Sequence, residues 1–138
     1  MRTLHFGLRT VDLDRSLAFY TAIGYAIVGS VPETELGHLT MLKLPGDEFV
    51  TIELVHHPAE TPAKGGTRLS HFVIQVDSID ATLSQLAARG INAGAPTSPN
   101  GSADFRTAWI ADPDGNRIEL VQWPAGHAVG MSAADWAN

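Results

Sequence analysis

The chain aligns with itself: displaced by 66 residues and without a gap, its first half falls on its second. In that register His5-Phe6 meets His71-Phe72, Asp14 meets Asp80, Leu17 meets Leu83, Gly24 meets Gly90, and Ile52-Glu53-Leu54-Val55 meets Ile118-Glu119-Leu120-Val121. Chance aligns apolar runs readily, but it rarely places a His near the start and a Glu near the end of each half at the same spacing of 48. A fold that suits this chain must therefore use one structural unit twice.

Each half has the same order of local signals. An alternating segment, Leu4 to Arg9 or Leu69 to Val76, has the period of a half-buried strand. A helix follows. In the first half Asp12 or Asp14 caps it, Leu13, Leu17 and Tyr20 form its apolar stripe with Ile23 extending it, and Gly24 stops it; in the second, Ser78 caps, Ile79, Leu83, Leu86 and Ala87 form the stripe, and Gly90 stops. Further strands are expected near Ala26 to Val31, Leu39 to Leu44 and Val50 to His56, with counterparts near Asn92 to Gly94, Phe105 to Ala111 and Arg117 to Trp123. Asp112-Pro113-Asp114-Gly115 reads as the turn before the last strand, and Pro45-Gly46-Asp47 takes the equivalent place in the first half. The expectation is an α+β chain of two tandem βαβββ modules, about 1–57 and 67–123, joined by a linker at 58–66 rich in Pro, Ala and Gly. The tail 124–138 has no repeat partner. At 138 residues and 44% apolar composition the whole fits one domain.

Fifteen acidic residues against nine basic ones give a net charge of −6, with no basic cluster to follow a nucleic acid or an anionic membrane. No run approaches the roughly 20 apolar residues of a membrane span, and the amino terminus lacks a signal-peptide core. A soluble, cytoplasmic chain is expected. Zero cysteines exclude disulfides, thiolate ligands and a cysteine nucleophile.

Strand parity then sorts the polar residues. Leu4, Phe6 and Leu8 share one face of the first strand, expected to pack under the helix, while His5, Gly7 and Arg9 share the other. By the same rule Glu53 opposes Ile52 and Leu54, His71 and Gln75 oppose Phe72 and Ile74, and Glu119 opposes Ile118 and Leu120. Carboxylates set mid-strand among apolar neighbours need compensation. A divalent cation held by His5, Glu53, His71 and Glu119 supplies it; a salt-bridged cluster is the alternative. Imidazole and carboxylate suit Ni, Co, Fe, Mn or Zn and are poor ligands for Cu(I). His57 shares the parity of Glu53 and is a candidate substrate contact, whereas His38 and His127 have no partner in the repeat and read as solvated.

Leu4-His5, Asp14-Arg15-Ser16, Phe19-Tyr20, Thr51-Ile52-Glu53-Leu54, Ser70-His71 and Asp112-Pro113-Asp114-Gly115-Asn116-Arg117-Ile118-Glu119-Leu120 together resemble the glyoxalase I (lactoylglutathione lyase) branch of the glyoxalase, bleomycin resistance and extradiol dioxygenase superfamily. The likeness covers residues 1 to about 123. It implies the vicinal oxygen chelate fold, a curved mixed sheet with helices on its outer face. It also implies a homodimer whose sites are shared between chains, with His5 and Glu53 of one subunit opposite His71 and Glu119 of the other. The implied reaction isomerises a methylglyoxal–thiol hemithioacetal to a lactoyl thioester through an enediolate. Glu119 is then the base, Glu53 is its opposite number, and the metal is Ni or Co in preference to Zn, because an octahedral ion keeps two positions beyond four protein ligands.

Arg9 matches an arginine that glutathione-using members carry four residues after the first ligand. His57 stands where an Asn is expected, and Ser98-Pro99-Asn100-Gly101 stands where a Lys is expected, so the thiol is glutathione or another low-molecular-weight thiol. Arg68 and Arg106 are further candidates for a carboxylate. The competing readings are an epimerase, an extradiol dioxygenase or a thiol transferase of the same superfamily, or a metal-free drug-binding module with Trp109 or Trp123 as a stacking surface.

Overall fold

A computed structural model of the chain describes residues 3–59, 69–131 and 133–137. Its order is β1 (Phe6–Arg9), α1 (Leu13–Ala22), β2 (Ala26–Thr34), β3 (Gly37–Lys43), β4 (Ile52–His56), β5 (His71–Gln75), α2 (Ile79–Ala88), β6 (Arg106–Ala111), β7 (Arg117–Gln122) and a 3₁₀ turn at Ala133–Trp136. The chain divides into two units: residues 1–68 with the turn 112–116, and residues 69–111 with 117–138. Most of the expected linker, from residue 60 on, lies outside the described residues.

In the first unit the sheet order is β1-β4-β3-β2, with β1 parallel to β4 and the other pairs antiparallel. Asp12 begins α1, its side chain accepting from the Arg15 amide at 3.0 Å, and Gly24 ends the turn beyond it at φ +113°, a conformation that a Cβ disfavours. The core gathers Leu8, Tyr20, Tyr25, Leu42, Ile52 and Leu54. Tyr20 meets the rings of Phe19 and Tyr25 edge-on at 5.2 and 5.6 Å.

The turn 112–116 belongs to this unit because Asp112 and Asp114 bind α1 and its approach. Tyr20 donates to Asp112 at 2.7 Å, while the Val11 amide and the Ser16 hydroxyl each donate to Asp114 at 3.1 Å. Asp112 also accepts from the Asp114 amide and from the amide and side chain of Asn116 at 2.8–3.0 Å, so each of its oxygens has two donors.

In the second unit the sheet order is β5-β7-β6, with β5 parallel to β7 and β6 antiparallel to it. The Ser78 hydroxyl caps α2, accepting from the Ala81 amide at 3.2 Å. Ile79, Leu86, Ala108, Ile110, Ile118 and Leu120 are buried.

Three expectations fail in detail. The second module forms no strand at residues 92–94; that segment touches β6 through one amide bond, from Gly94 to Trp109, and a single bridge between Thr97 and Thr107. Gly94 weakens extended pairing, and Pro96 and Pro99 have no amide hydrogen to add to a ladder. The apolar face of the first strand is also not uniformly buried. Leu8 is 5% exposed, whereas Leu4 and Phe6 are 56% and 39% exposed, because the ladder with β4 begins only at Phe6. The helix stripes shift as well: Tyr20 and Ser16 are the buried residues of α1, and Ala87 of α2 is exposed.

Candidate active site

The parallel register of β1 on β4 sets Gly7 beside Glu53. One residue before β1 begins, His5 brings Nε2 to 3.2 Å from Glu53 Oε2, and that contact puts its side chain on the face of Gly7 and Glu53. The second unit repeats this geometry. Val73, the repeat partner of Gly7, lies beside Glu119, and His71 Nε2 is 3.6 Å from Glu119 Oε2. The glutamates are the more enclosed members, at 14% and 23% side-chain exposure against 39% and 35% for the histidines. The apolar residues flanking them, Ile52, Leu54, Ile118 and Leu120, point to the other face and are buried. Core packing therefore holds each carboxylate on the face where its histidine stands.

Both pairs fit the donors of a divalent ion. Two ligands each about 2.1 Å from one ion stand roughly 3 to 3.5 Å apart; the first pair, at 3.2 Å, lies within that span and the second, at 3.6 Å, just beyond it. In the second unit the imidazole has a further partner: Ser70 Oγ lies 3.0 Å from Nδ1, a hydrogen bond that orients the ring with Nε2 toward Glu119. Among the described residues no three His, Asp or Glu side chains come together as one cluster. The chain presents two His–Glu pairs, one in each unit.

The remaining candidates are placed as follows. Arg9 ends β1, exposed, on the face of His5. His57 lies one residue past the end of β4, so strand alternation no longer governs it, and its Nδ1 accepts from the Ala59 amide at 3.2 Å. His56 Nδ1 is 3.2 Å from the Thr10 carbonyl. Arg106 is committed to Asp80 at 2.7 Å, and Arg68 lies outside the described residues. Asn100 accepts from the amide and hydroxyl of Ser102, shaping the loop in which a Lys was sought. An open depression lined by Val11, Asp12, Arg15, Pro113 and Asp114 includes none of the four candidate ligands.

His127 is a correction. It is not merely solvated, for it stacks on Trp123 at 4.5 Å, with Nε2 and Nδ1 each 2.6 Å from an oxygen, of Asp135 and Ala128 respectively. The Ala128 carbonyl and then Asp135 hold its pKa above the ordinary histidine value.

Sequence reasoning missed a cluster beside His71. Trp109 pairs with Glu119 across β6 and β7, meets the His71 ring at 5.0 Å in a T-shaped contact, and carries the Arg117 guanidinium 4.2 Å above its own ring. The signal was present, since Arg117 stands two residues before Glu119 and so shares its face.

The model of the Glyoxalase/Bleomycin resistance protein/Dioxygenase superfamily matches residues 2–120. A probable lactoylglutathione lyase of Vibrio parahaemolyticus is 35% identical over 88% of this chain and 90% of its own length. The lactoylglutathione lyase of Haemophilus influenzae is 32% identical over 88% of this chain and 93% of its own. Among solved structures, the trypanothione-dependent glyoxalase I of Leishmania major is similar with a TM-score of 0.70 and 26% identity, covering 88% of this chain and 86% of that one. A bleomycin resistance determinant encoded on transposon Tn5 shares the fold alone, at a TM-score of 0.61 and 21% identity over 88% of this chain and 98% of that one. The two βα-led units with their mixed sheets are thus the vicinal oxygen chelate fold. The chain belongs to the glyoxalase/bleomycin resistance protein/dioxygenase superfamily and is an enzyme of its glyoxalase I branch.

Proposed function

We propose that the chain isomerises the hemithioacetal of methylglyoxal and a low-molecular-weight thiol, glutathione or another, to the lactoyl thioester. The observation that carries this reading is the repeated His–Glu pair, set by the same register in both units. His5, Glu53, His71 and Glu119 would hold one divalent ion, Ni or Co by donor count, with the two pairs drawn from two copies of the chain in a homodimer. The cytoplasm, where methylglyoxal and thiols meet, is the proposed compartment.

The reaction moves one hydrogen from C1 to C2 and one from the C1 oxygen to the C2 oxygen. Glu119 takes the proton from C1 of the hemithioacetal, the released electron pair forms the C1–C2 double bond of an enediolate as the C2 carbonyl π pair moves onto its oxygen, and the carboxylic acid returns the proton to C2 while the proton of the C1 hydroxyl passes to the C2 oxygen. Glu53 is the corresponding carboxylate of the other half-site. A bound ion would supply stabilisation of the negative charge that develops on the two substrate oxygens. Ser70, 3.0 Å from His71 Nδ1, would orient the ring and leave Nε2 for the ion.

Metal analysis of protein purified without added ions, followed by assay with Ni, Co, Mn and Zn and several thiols, tests the reading. Stoichiometric metal that is lost on His71→Ala, together with a fall in kcat of about 100-fold or more for Glu119→Gln, is the expected result. Absence of hemithioacetal turnover with every metal and thiol overturns it, and oxygen uptake with a catechol would put the dioxygenase reading in its place.

A further inference from the structure

We propose that Arg117 receives a carboxylate of the thiol moiety of the substrate, an assignment that rests on His71 and Glu119 forming a half-site. Arg117 is the lateral neighbour of His71 in the β5–β7 register and precedes Glu119 by two residues, so its side chain leaves β7 on the face of both. Its guanidinium lies over Trp109, whose edge contact with His71 keeps the cation within about 9 Å of the imidazole.

The manner in which Arg117 is held suits a carboxylate. Stacking engages the face of the guanidinium, whereas its hydrogens lie in the plane and point outward from the rim. A carboxylate can then be met by two parallel N–H donors without disturbing the stack. Contact with Trp109 also restrains a side chain that would otherwise lose rotamer freedom on binding. A lysine at this position would offer neither the flat stack nor the two-pronged donor.

The surroundings leave this cation available. Arg106, on the same sheet, is paired with Asp80, and Glu119 is paired with His71; among the described residues no carboxylate pairs with Arg117. In a chain of net charge −6, an anionic ligand needs a local positive group, and Arg117 provides one beside the half-site. The substrate class implied is a hemithioacetal whose thiol bears a free carboxylate, as distinct from a neutral thiol.

Isothermal titration of the full chain with S-hexylglutathione and with its diethyl ester tests the assignment without requiring turnover. In the wild type the free acid is expected to bind more tightly than the ester. Arg117→Met should raise the Kd of the acid by roughly tenfold or more, leave that of the ester within about twofold, and be only partly rescued by Arg117→Lys. Nickel titration of the same variants controls for collapse of the half-site. Equal affinities of acid and ester in the wild type, no binding of the acid, or an equal loss for both ligands in Arg117→Met overturns the inference. Acid binding through Arg117 in a protein that isomerises no hemithioacetal would instead overturn the proposed reaction and leave the inference standing.

Discussion

Replacing Tyr20 by Phe removes a single oxygen from the most interconnected part of the first unit. Tyr20 is fully buried and Asp112 is 6% exposed, and the hydroxyl donates to the carboxylate at 2.7 Å. Burial, reinforced by the negative charge of Asp112, pushes the phenol well above its ordinary pKa, so Tyr20 remains a donor throughout the neutral range. Phe fills nearly the same volume, and the cavity contribution is therefore small. What is lost is a hydrogen bond to a charged acceptor, about 1.5–3 kcal/mol, with Asp112 retaining its three other donors. We expect a loss of about 2 kcal/mol in urea unfolding at pH 7 with an unchanged m-value, which for a chain of this size lowers Tm by about 7 °C. A double-mutant cycle with Asp112→Asn should recover a coupling of at least about 1 kcal/mol. A loss below about 0.5 kcal/mol would refute the claim that this bond secures the turn before β7 to α1.

Three further perturbations have definite outcomes. Gly37 adopts φ +115°, and a Cβ there would collide with the His56 carbonyl, a backbone atom that cannot yield; Gly37→Ala should cost about 3 kcal/mol or more in chemical denaturation, and a neutral result would place the β3–β4 contact wrongly. Ser78→Ala removes the α2 cap and should cost about 1 kcal/mol by the same measurement, with Ser78→Asp close to wild type. Both ring nitrogens of His127 face acceptors, which requires the imidazolium. Because its pKa is raised in the folded chain, its hold on Asp135 is complete below the ordinary histidine value of about 6.5 and is lost as pH rises through the raised value. NMR shifts of residues 127–136 should follow that titration in the wild type and not in His127→Gln; a tail that is unchanged from pH 6 to 9 would count against the pairing.

The limits of local reasoning show in individual residues. Asp12 and Ser78 were legible as caps because a cap acts within three residues of itself, and Gly24 and Gly90 were legible as stops for the same reason. Leu4 and Phe6 were misplaced because parity assigns a residue to a face but does not say what covers that face. The absent strand at 92–94 was misjudged through the repeat, whose first copy does form β2 at the corresponding place; two prolines and a glycine outweighed the analogy.

The duplication, the two helices with their ends, and the sharing of one face by each His and its Glu are properties of the sequence itself. They follow from periodicity and spacing, which operate over a few residues and then recur 66 residues later. Only the tertiary structure decided that Asp112 binds Tyr20 across 92 positions, that Arg117 lies over Trp109 against His71, and that His127 pairs with Asp135. Each of those contacts depends on the register of strands or on the path of a turn. Register is set by the packing of many side chains at once, and no single residue or short pattern encodes it.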